Sequence, residues 1–310
     1  MTDMTLGDQD ALRESTVRTR PENGREGTAS SPAGDQTALE ETIITGGRSS
    51  RHYLRDLWRY RELFLFLAWR DILVRYKQTV IGIAWSVMRP LLTMAVLALV
   101  FGKLVNMPSG GVPYPLLVFC GLLPWHFFSA ALTASGESIV GNAALVTKVY
   151  FPRLIVPAGS IFASLVDFLI SLILLVAIIA WYGWVPPFAI VWLPFFMLLA
   201  IAIAFGAGIW VAALMVRYRD VRFIVPFAVQ LGLYISPVGF SSSVIPEQYR
   251  ALYALNPLVG VIDGFRACIL GGEHTLQTYS ITLSLVGAFI LVATGLWYFR
   301  RNERKFADLI

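Results

Sequence analysis

The sequence predicts an all-α integral membrane protein with six transmembrane helices, and three observations support this fold class. Hydrophobic residues make up 56% of the 310 residues, and charged residues make up only 15%. The mean hydropathy is +0.65, whereas a soluble domain carries about a quarter charged residues. Several apolar runs reach the length of about 20 residues that crosses a bilayer as a helix.

The first 50 residues differ in composition from the rest of the chain. Residues 1–50 are rich in Gly, Ser, Thr, Asp, Glu and Arg and almost free of aromatic residues, which is typical of disorder. They contain no apolar core of a signal peptide. We therefore predict a disordered cytoplasmic tail.

Residues 51–78 predict an amphipathic helix that lies along the inner membrane surface. Arginine and lysine recur there at helical spacing beside a short apolar run, with Trp and Tyr suited to the depth of the lipid headgroups. Arg70, Arg75 and Lys77 lie at this depth and are candidates for contact with lipid phosphates. Asp71 and Arg75 fall on the more apolar side of the helix, and we interpret them as contacts to a partner protein.

Residues 79–310 predict the transmembrane domain. Its six apolar stretches cover residues 80–104, 114–140, 154–181, 188–216, 223–240 and 279–299. Of the 25 Lys and Arg residues, 21 precede residue 80 or follow the second, fourth and sixth stretches. Because Lys and Arg accumulate on the cytoplasmic side of membrane proteins, this distribution predicts that both termini are cytoplasmic.

Two short apolar pieces lie between the fifth and sixth stretches, at residues 246–255 and 257–270. Each is too short to cross a bilayer, so we predict two re-entrant or periplasmic helices. Asn256 is a favourable N-cap for the second helix, and Pro257 suits its first turn. Apolar side chains on these helices are candidates for an outer gate that excludes water, namely Tyr249, Leu252, Tyr253, Leu255 and Leu258.

Several motifs resemble one family of membrane proteins. They are RDILVRYKQTVIGIAWSVMRPL at residues 70–91, GLLPWHFFSAALTASGESIVGNAALVTKVYFPR at 121–153, MVRYRDVR at 215–222, the stretch from SPV to LNPL with Arg266 downstream, and the basic C-terminus. In one collinear order over residues 51–310, they resemble the membrane subunit of ABC-2 type polysaccharide exporters, the O-antigen and teichoic-acid export permeases.

This resemblance implies a multi-pass half-transporter in the cytoplasmic (inner) membrane. Two copies would form the channel, and two copies of a separate ATP-binding subunit would supply ATP hydrolysis with Mg²⁺. The chain itself lacks the GxxxxGK[ST] motif and is expected to bind no cofactor or metal. The implied substrate is a glycan linked to an undecaprenyl- or other polyprenyl-type lipid, and a non-glycan lipid or a drug remains the alternative.

For a glycan exporter, the chemistry of individual side chains suggests their roles. Candidates for the substrate path are Trp125, Phe127, Phe128, Asp167, Trp210, Tyr234 and Phe240, although aromatic residues at helix ends also form ordinary interfacial belts. Arg89 either binds the diphosphate of the carrier lipid, with Arg70, Arg75 and Lys77, or extends to the membrane surface. Candidates for coupling to the ATPase are Leu145, Lys148, Tyr150 and Phe151, unless this loop lies on lipid headgroups.

Other functional classes fit the sequence less well. A membrane enzyme needs clustered acids or histidines, whereas this chain scatters them and shows no nucleophile elbow. A proton-coupled transporter predicts two repeated halves and a relay of acids, and only Asp167 and Glu137 are available for such a relay. The net charge of +5 comes from segments predicted to be cytoplasmic and gives no reason to expect nucleic-acid binding.

Overall fold

The chain forms a series of α-helices joined by short connections. The computed structural model describes residues 55, 57–77, 82–271 and 278–306, and no strand occurs in these ranges. The helices are α1 (Arg61–Lys77), α2 (Gly82–Leu97), α3 (Tyr114–Gly141), α4 (Ala143–Lys148), α5 (Ile155–Tyr182), α6 (Leu193–Arg217), α7 (Val221–Ile235), α8 (Glu247–Tyr253), α9 (Pro257–Ile269) and α10 (Thr278–Asn302). The tail predicted over residues 1–50 lies outside the described residues.

Five stretches in the described part of the chain are long and apolar enough to cross a membrane. They are Ala84–Leu104, Tyr114–Gly141, Ile155–Tyr182, Phe188–Arg217 and Thr278–Asn302. The first continues α2 through the π-helical segment Ala98–Leu104, and the fourth joins α6 to the 3₁₀ segment Phe188–Trp192. The helices α8 and α9 bend by 109° and give a sixth crossing if they count as one span. The predicted all-α membrane fold is confirmed.

The helix α7 is shorter than the stretch predicted at residues 223–240. It has 15 residues, about 22 Å at the α-helical rise, whereas the hydrocarbon core is about 30 Å thick. The helix ends at Ile235 because Pro237 disfavours the helical conformation for the residue before it. The segment after α7 therefore continues without helical hydrogen bonds.

Basic residues meet at one end of the helix bundle, which we call the basic end. The backbone N–H of Arg153 donates to Glu303 Oε1 at 2.9 Å, and the Arg153 guanidinium donates to the Glu303 carbonyl. This contact joins the connection before α5 to the segment after α10. Arg70 of α1 reaches Asn142, between α3 and α4, at the same end. These contacts bring together segments that the charge count assigned to one side.

The opposite end is held by hydrogen bonds from aromatic side chains. Trp184 follows α5 and donates through Nε1 to the carbonyl of Ile269 at 3.2 Å. Tyr114 begins α3 and donates its hydroxyl to the carbonyl of Gly239 at 2.7 Å. The end of α9 and the segment after α7 therefore lie beside the ends of α3 and α5 that are opposite the basic end.

Glycines bring α6 into backbone contact with its neighbours. A Cβ on Gly206 would lie 2.6 Å from the backbone nitrogen of Val292 in α10, and one on Gly295 would lie 2.7 Å from the Gly206 carbonyl oxygen. On the other side, a Cβ on Gly208 would lie 2.7 Å from Ser135 Oγ in α3. Small residues allow such close approach of membrane helices. The helices α6 and α10 therefore meet along their backbones, and α3 packs closely on the other side of α6.

The buried Arg266 holds the non-helical segment after α7. Its side chain is in α9, only 1% of the residue is exposed, and its guanidinium donates to the carbonyls of Leu117 at 3.3 Å, Val238 at 2.8 Å and Phe240 at 2.7 Å. A Cβ on Gly121 would lie 2.8 Å from Arg266 Nη2, so the glycine makes room for the cation. A buried polar group must find such partners.

The bend between α8 and α9 reaches the middle turns of α10. Asn256 Oδ1 accepts from the N–H of Leu258 at 3.1 Å, so the predicted N-cap of α9 is confirmed. Asn256 also donates to Ser236 Oγ at 3.1 Å. A Cβ on Gly287, in the third turn of α10, would lie 3.1 Å from Pro257 Cβ. The start of α9 is therefore level with the interior of the bundle.

Candidate functional site

A cavity of about 960 Å³ lies between α2, α3, α5 and α7, with the end of α1 at its edge. Its polar and charged lining consists of Arg75, Ser86, Arg89, Thr93, His126, Ser129, Thr133, Glu137, Asp167, Ser171 and Gln230. Its aromatic lining consists of Trp85, Trp125, Phe127 and Phe168. The structure thus brings together five residues predicted for two roles, namely Arg75, Arg89, Trp125, Phe127 and Asp167.

One face of α3 forms a polar wall of this cavity. His126, Ser129, Thr133 and Glu137 follow each other at intervals of three or four residues, which places them on the same side of a helix. The hydroxyl of Ser129 donates to the His126 carbonyl at 3.1 Å, and that of Thr133 donates to the Ser129 carbonyl at 2.9 Å. Both hydroxyl oxygens keep the capacity to accept hydrogen bonds from a ligand.

Two adjacent residues of α1 contact one carboxylate of α5 at the edge of the cavity. Arg75 Nη1 donates to Asp167 Oδ2, and the Tyr76 hydroxyl donates to Asp167 Oδ1. Burial, together with the hydrogen bond to Asp167, raises the pKa of Tyr76 to about 12, so the hydroxyl keeps its proton near neutral pH. The side chains of Arg75 and Asp167 are 37% and 27% exposed, so water and ligands reach this pair.

The cavity also holds charged side chains without an ionic partner. Among the described residues, neither Arg89 nor Glu137 forms an ion pair. Nε2 of His126 is buried and has no hydrogen-bond partner in the same part of the chain. Intramembrane ionisable groups usually face a bundle interior or an aqueous cavity, as these do. The cavity therefore offers a cation and an anion to a polar ligand.

Aromatic rings support the cavity wall from behind. Trp125 and Phe127 are only 5% and 4% exposed. Phe127 packs edge-on against Phe168 with ring centroids 5.5 Å apart, and Trp125 packs on Phe128 at 5.9 Å. The wall is therefore rigid, and each ring at the cavity surface presents only part of its area.

Four other residues predicted for the substrate path do not line this cavity, namely Phe128, Trp210, Tyr234 and Phe240. Trp210 stacks on Tyr298 of α10 at 4.4 Å and donates to Thr294 Oγ1 at 3.0 Å. Tyr234 is 60% exposed, and Phe240 packs on Phe101 at 6.2 Å. Their contact with a substrate stays a prediction.

The residues predicted to contact lipid phosphates occupy two different environments. Arg75 and Arg89 line the cavity, whereas Arg70 lies at the basic end, where Nη2 donates to Asp71 Oδ1 at 2.8 Å and to Asn142 Oδ1 at 2.7 Å. Lys77 is exposed at the end of α1. Binding of phosphate by these four residues stays a prediction.

The interpretation of Asp71 and Arg75 as contacts to a partner protein differs from what the structure shows. Asp71 binds Arg70 and also accepts a hydrogen bond of 3.3 Å from Ser160 of α5. Arg75 binds Asp167, likewise in α5. Helical spacing placed both residues on the inner side of α1, and that side packs against the chain's own helix.

The residues predicted for ATPase coupling separate into exposed and buried side chains. Lys148 is exposed at the end of α4, and Tyr150 is 64% exposed. Leu145 is partly buried. Phe151 is 5% exposed and belongs to the apolar cluster of the basic end, together with Phe306. Among the aromatic candidates, Tyr150 is the one available to a partner in this arrangement.

The predicted gate residues also occupy different environments. Tyr249, Leu252 and Leu255 are exposed by 55%, 67% and 62%. Tyr253 donates its hydroxyl to the Ile235 carbonyl at 2.7 Å, and Leu258 is only 3% exposed. A gating role for the five residues stays a prediction.

The sequence reasoning did not select several cavity residues, namely Trp85, Thr93, Ser129, Thr133 and Gln230. The spacing of these residues along their helices nevertheless indicated that they share a face. Trp85, Arg89 and Thr93 are four residues apart on α2, as expected for one helix face. Glu137 was considered as part of a proton relay, and the polar stripe that joins it to His126 along α3 was missed.

Comparison with known proteins gives a consistent assignment. The sequence model of the ABC-2 type transporter matches residues 62–270, which run from α1 to the end of α9. An O-antigen export system permease protein RfbA of Myxococcus xanthus is 30% identical over 264 residues, which cover 83% of this chain and 98% of that protein.

Two further relatives are more distant. An RfbA of Klebsiella pneumoniae with the same description is 28% identical over 252 residues, covering 80% of this chain and 95% of that protein. The polysialic acid transport protein KpsM of Escherichia coli is 26% identical over 249 residues, which cover 77% of this chain and 92% of that protein. Because the family match includes all the helices that line the cavity, the chain belongs to the ABC-2 type transporter family.

Proposed function

We propose that this protein is the transmembrane subunit of a transporter that exports a cell-envelope polysaccharide. The observation that carries the proposal is the cavity, whose wall combines hydroxyl, amide and charged groups with aromatic rings. Sugar hydroxyls need hydrogen-bond partners, and the C–H faces of sugar rings stack on aromatic side chains. The names of the O-antigen and polysialic acid relatives support the same class of substrate.

The proposed substrate is attached to a polyprenyl-type lipid through phosphate. Arg75 and Arg89 give the cavity two cations, and arginine suits phosphate because its planar guanidinium donates two parallel hydrogen bonds. The lipid chain would stay in the bilayer beside α2, which exposes Trp85, Met88 and Leu92. The glycan would follow the polar stripe of α3.

The proposed complex contains a separate ATP-binding subunit and a second copy of this chain. The short helix α4, with Lys148 and the exposed Tyr150, gives the basic end a surface for the ATPase, which would hydrolyse ATP with Mg²⁺. Large apolar side chains on α7, such as Phe223 and Phe227, are exposed by 77% and 62%. A second copy packed there would enclose the path between two cavities.

The proposed orientation places the basic end and both termini in the cytoplasm, with the protein in the inner membrane. The positive-inside distribution supports this orientation. In that orientation α8 and α9 enter the bundle from the outer side as a re-entrant pair, consistent with the contacts of Asn256 and Pro257. Non-helical backbone at that depth is tolerated where protein covers it.

The test is uptake of a radiolabelled lipid-linked polysaccharide by inside-out vesicles that contain this protein and its partner ATPase. Uptake should require ATP and should stop when the P-loop lysine of the ATPase is replaced. Thr133→Leu should reduce uptake because it removes a hydroxyl from the cavity wall. The matched control is Thr282→Leu on α10, whose hydroxyl likewise donates to its own helix, at 2.9 Å. ATP-driven uptake of an apolar drug without uptake of the glycan would contradict the proposal.

A further inference from the structure

Arg75 and Tyr76 form an anion-binding pair that already holds an anion of the chain itself. The two residues are adjacent on α1, and their donors reach the two separate oxygens of the Asp167 carboxylate. Proteins bind phosphate in the same way, with two donors that form hydrogen bonds to two oxygens of one anionic group. The Asp167 carboxylate therefore occupies the position that a phosphate would take.

The pair is accessible from the cavity. Arg75 and Asp167 both line it, and their side chains are 37% and 27% exposed. Ion pairs with this exposure are weak because water screens them and competes for their hydrogen bonds. A ligand that enters the cavity can therefore displace the carboxylate without leaving a fully buried charge behind.

A phosphate would be a stronger ligand for these donors than Asp167. It carries more negative charge and more acceptor oxygens than a carboxylate, and a diphosphate spans a longer distance. Arg89 lines the same cavity and forms no ion pair within the described ranges of the chain. An entering diphosphate thus meets two cations, whereas Asp167 contacts one.

We propose that Asp167 is a built-in competitor, whose carboxylate occupies Arg75 and Tyr76 until the phosphate of a phosphate-bearing ligand displaces it. This proposal rests on the proposed function, because the ligand it implies is a lipid-linked substrate. After the exchange, Arg75 and Tyr76 in the last turn of α1 bind the ligand and no longer bind Asp167 of α5. The empty cavity therefore holds the last turn of α1 against α5, and loading releases that turn.

The proposal is tested by binding measurements on the full-length protein in lipid nanodiscs. The probes are radiolabelled undecaprenyl diphosphate, inorganic pyrophosphate and undecaprenol, which lacks phosphate. Asp167→Asn should bind undecaprenyl diphosphate about fivefold more tightly than the unmodified protein, because it removes the competing charge and leaves one acceptor oxygen for two donors. Arg75→Gln should bind it more weakly by a similar factor. Neither substitution should change the binding of undecaprenol.

Two control variants separate direct competition from a general change of charge. Asp220→Asn is the same substitution in the connection between α6 and α7, outside the cavity, and should leave binding unchanged. Glu137→Gln removes a carboxylate from the cavity wall, but Glu137 binds neither Arg75 nor Tyr76. Its gain in affinity for undecaprenyl diphosphate should therefore be clearly smaller than that of Asp167→Asn. An equal gain for Glu137→Gln would overturn the proposal.

Each remaining outcome is decisive. Unchanged or weaker binding of both phosphate-bearing probes by Asp167→Asn overturns the proposal, and so does unchanged binding of both by Arg75→Gln, so a variant that fails to fold leaves the other test intact. If Asp167→Asn tightens binding of inorganic pyrophosphate alone, the ligand is a free phosphate. If it tightens binding of undecaprenyl diphosphate, the ligand is a lipid headgroup.

The binding assay needs neither the ATPase nor transport, so the two proposals can fail separately. Vesicles that export polysaccharide, combined with unchanged binding by Asp167→Asn, would reject only the competitor role. Tighter binding by Asp167→Asn, combined with no export of any polysaccharide, would reject the proposed function and keep the phosphate site.

Discussion

Arg70 of α1 donates a hydrogen bond of 2.7 Å to the side-chain oxygen of Asn142, the residue that joins α3 to α4. The same guanidinium binds Asp71, which in turn accepts from Ser160 of α5 at 3.3 Å. One turn farther along α1, Arg75 binds Asp167 at the cavity. The helix α1 thus connects the start of α4 with the wall of the candidate site.

Replacing Asn142 tests this connection. Asn142→Leu removes the acceptor for Arg70 and should lower the free energy of unfolding by about 1 kcal/mol, because the guanidinium is partly exposed. Asn142→Asp keeps an acceptor oxygen for Arg70 and loses only the hydrogen bond of 2.8 Å that the Asn142 amide donates to the Ser138 carbonyl, so it should destabilise the protein less than Asn142→Leu. Thermal unfolding in detergent measures both, and the ratio of ATP hydrolysed to glycan exported should rise for Asn142→Leu in the reconstituted complex. An unchanged ratio would contradict the link between α4 and the cavity.

The backbone contact between α6 and α10 predicts a strong effect for Gly206→Ala. The new methyl group would lie 2.6 Å from Val292 N and 2.7 Å from the Leu291 carbonyl carbon, and these backbone atoms cannot move aside. Overpacking of this kind costs about 1–3 kcal/mol. Gly141→Ala is the matched control because its Cβ would have no neighbour within 4 Å. Equal thermal midpoints for the two variants would contradict this packing.

Arg266→Met should destabilise the protein by about 3 kcal/mol or more. It removes the donors for three carbonyls, those of Leu117, Val238 and Phe240, of which two lie in the segment after α7. The control is Lys103→Met, which removes an exposed cation. Thermal unfolding should separate the two variants, and proteolysis after residue 235 should increase only in Arg266→Met. Similar stability of the two would show that the carbonyls find other partners.

Tyr150 and Phe151 should give different phenotypes although they are adjacent. Phe151→Ala opens a space in the apolar cluster of the basic end and should lower the free energy of unfolding by about 3–5 kcal/mol. Tyr150→Ala changes an exposed side chain, so the isolated protein should stay stable while recovery of the complex with the ATPase falls. Size-exclusion chromatography of the co-expressed complex measures the recovery. Normal recovery with Tyr150→Ala would exclude a coupling role for this residue.

Cysteine labelling tests the proposed orientation. Ser109→Cys and Gln248→Cys should react with a membrane-impermeant maleimide from outside the cell. Arg219→Cys and Asn302→Cys should react only after the membrane is opened. The native Cys120 and Cys268 are buried and should give little background. Labelling of Arg219→Cys in intact cells would reject the cytoplasmic basic end.

Much of the helix layout follows from composition, because apolar length and charge act over whole segments. The stretch predicted at residues 114–140 differs by one residue from the observed helix Tyr114–Gly141. The stretch predicted at 154–181 differs by one residue at each end from the observed helix Ile155–Tyr182. The early end of α7 was missed because the span was bounded by its apolar length, although Pro237 already disfavours a helix over residues 236–240. Their conformation depends on Arg266, which follows about 30 residues later and binds their carbonyls.

The candidate site was only partly predictable. Asp167 and Arg89 stand out because charged residues are rare in apolar stretches. The partner of Asp167 was not predictable, since Arg75 lies 92 positions earlier, on a helix expected to bind the membrane surface. Pairing across such a distance depends on how α1 packs on α5, and neither helix carries a local signal for it.

The glycine contacts of α6 have a mechanical consequence for the cavity. Where backbone meets backbone, helices cannot slide or rotate without collision, so α6 and α10 behave as one block, and α3 packs on α6 through the close contact of Gly208 with Ser135. Of the other cavity walls, α5 packs on α3 through Phe168 and Phe127, whereas α2 and α7 bury few side chains. Among the described residues, only Pro90 and Leu97 are buried in α2, and only Val225 in α7. Any widening that admits a bulky polymer must therefore come from outward displacement of α2 and α7 against a fixed polar wall.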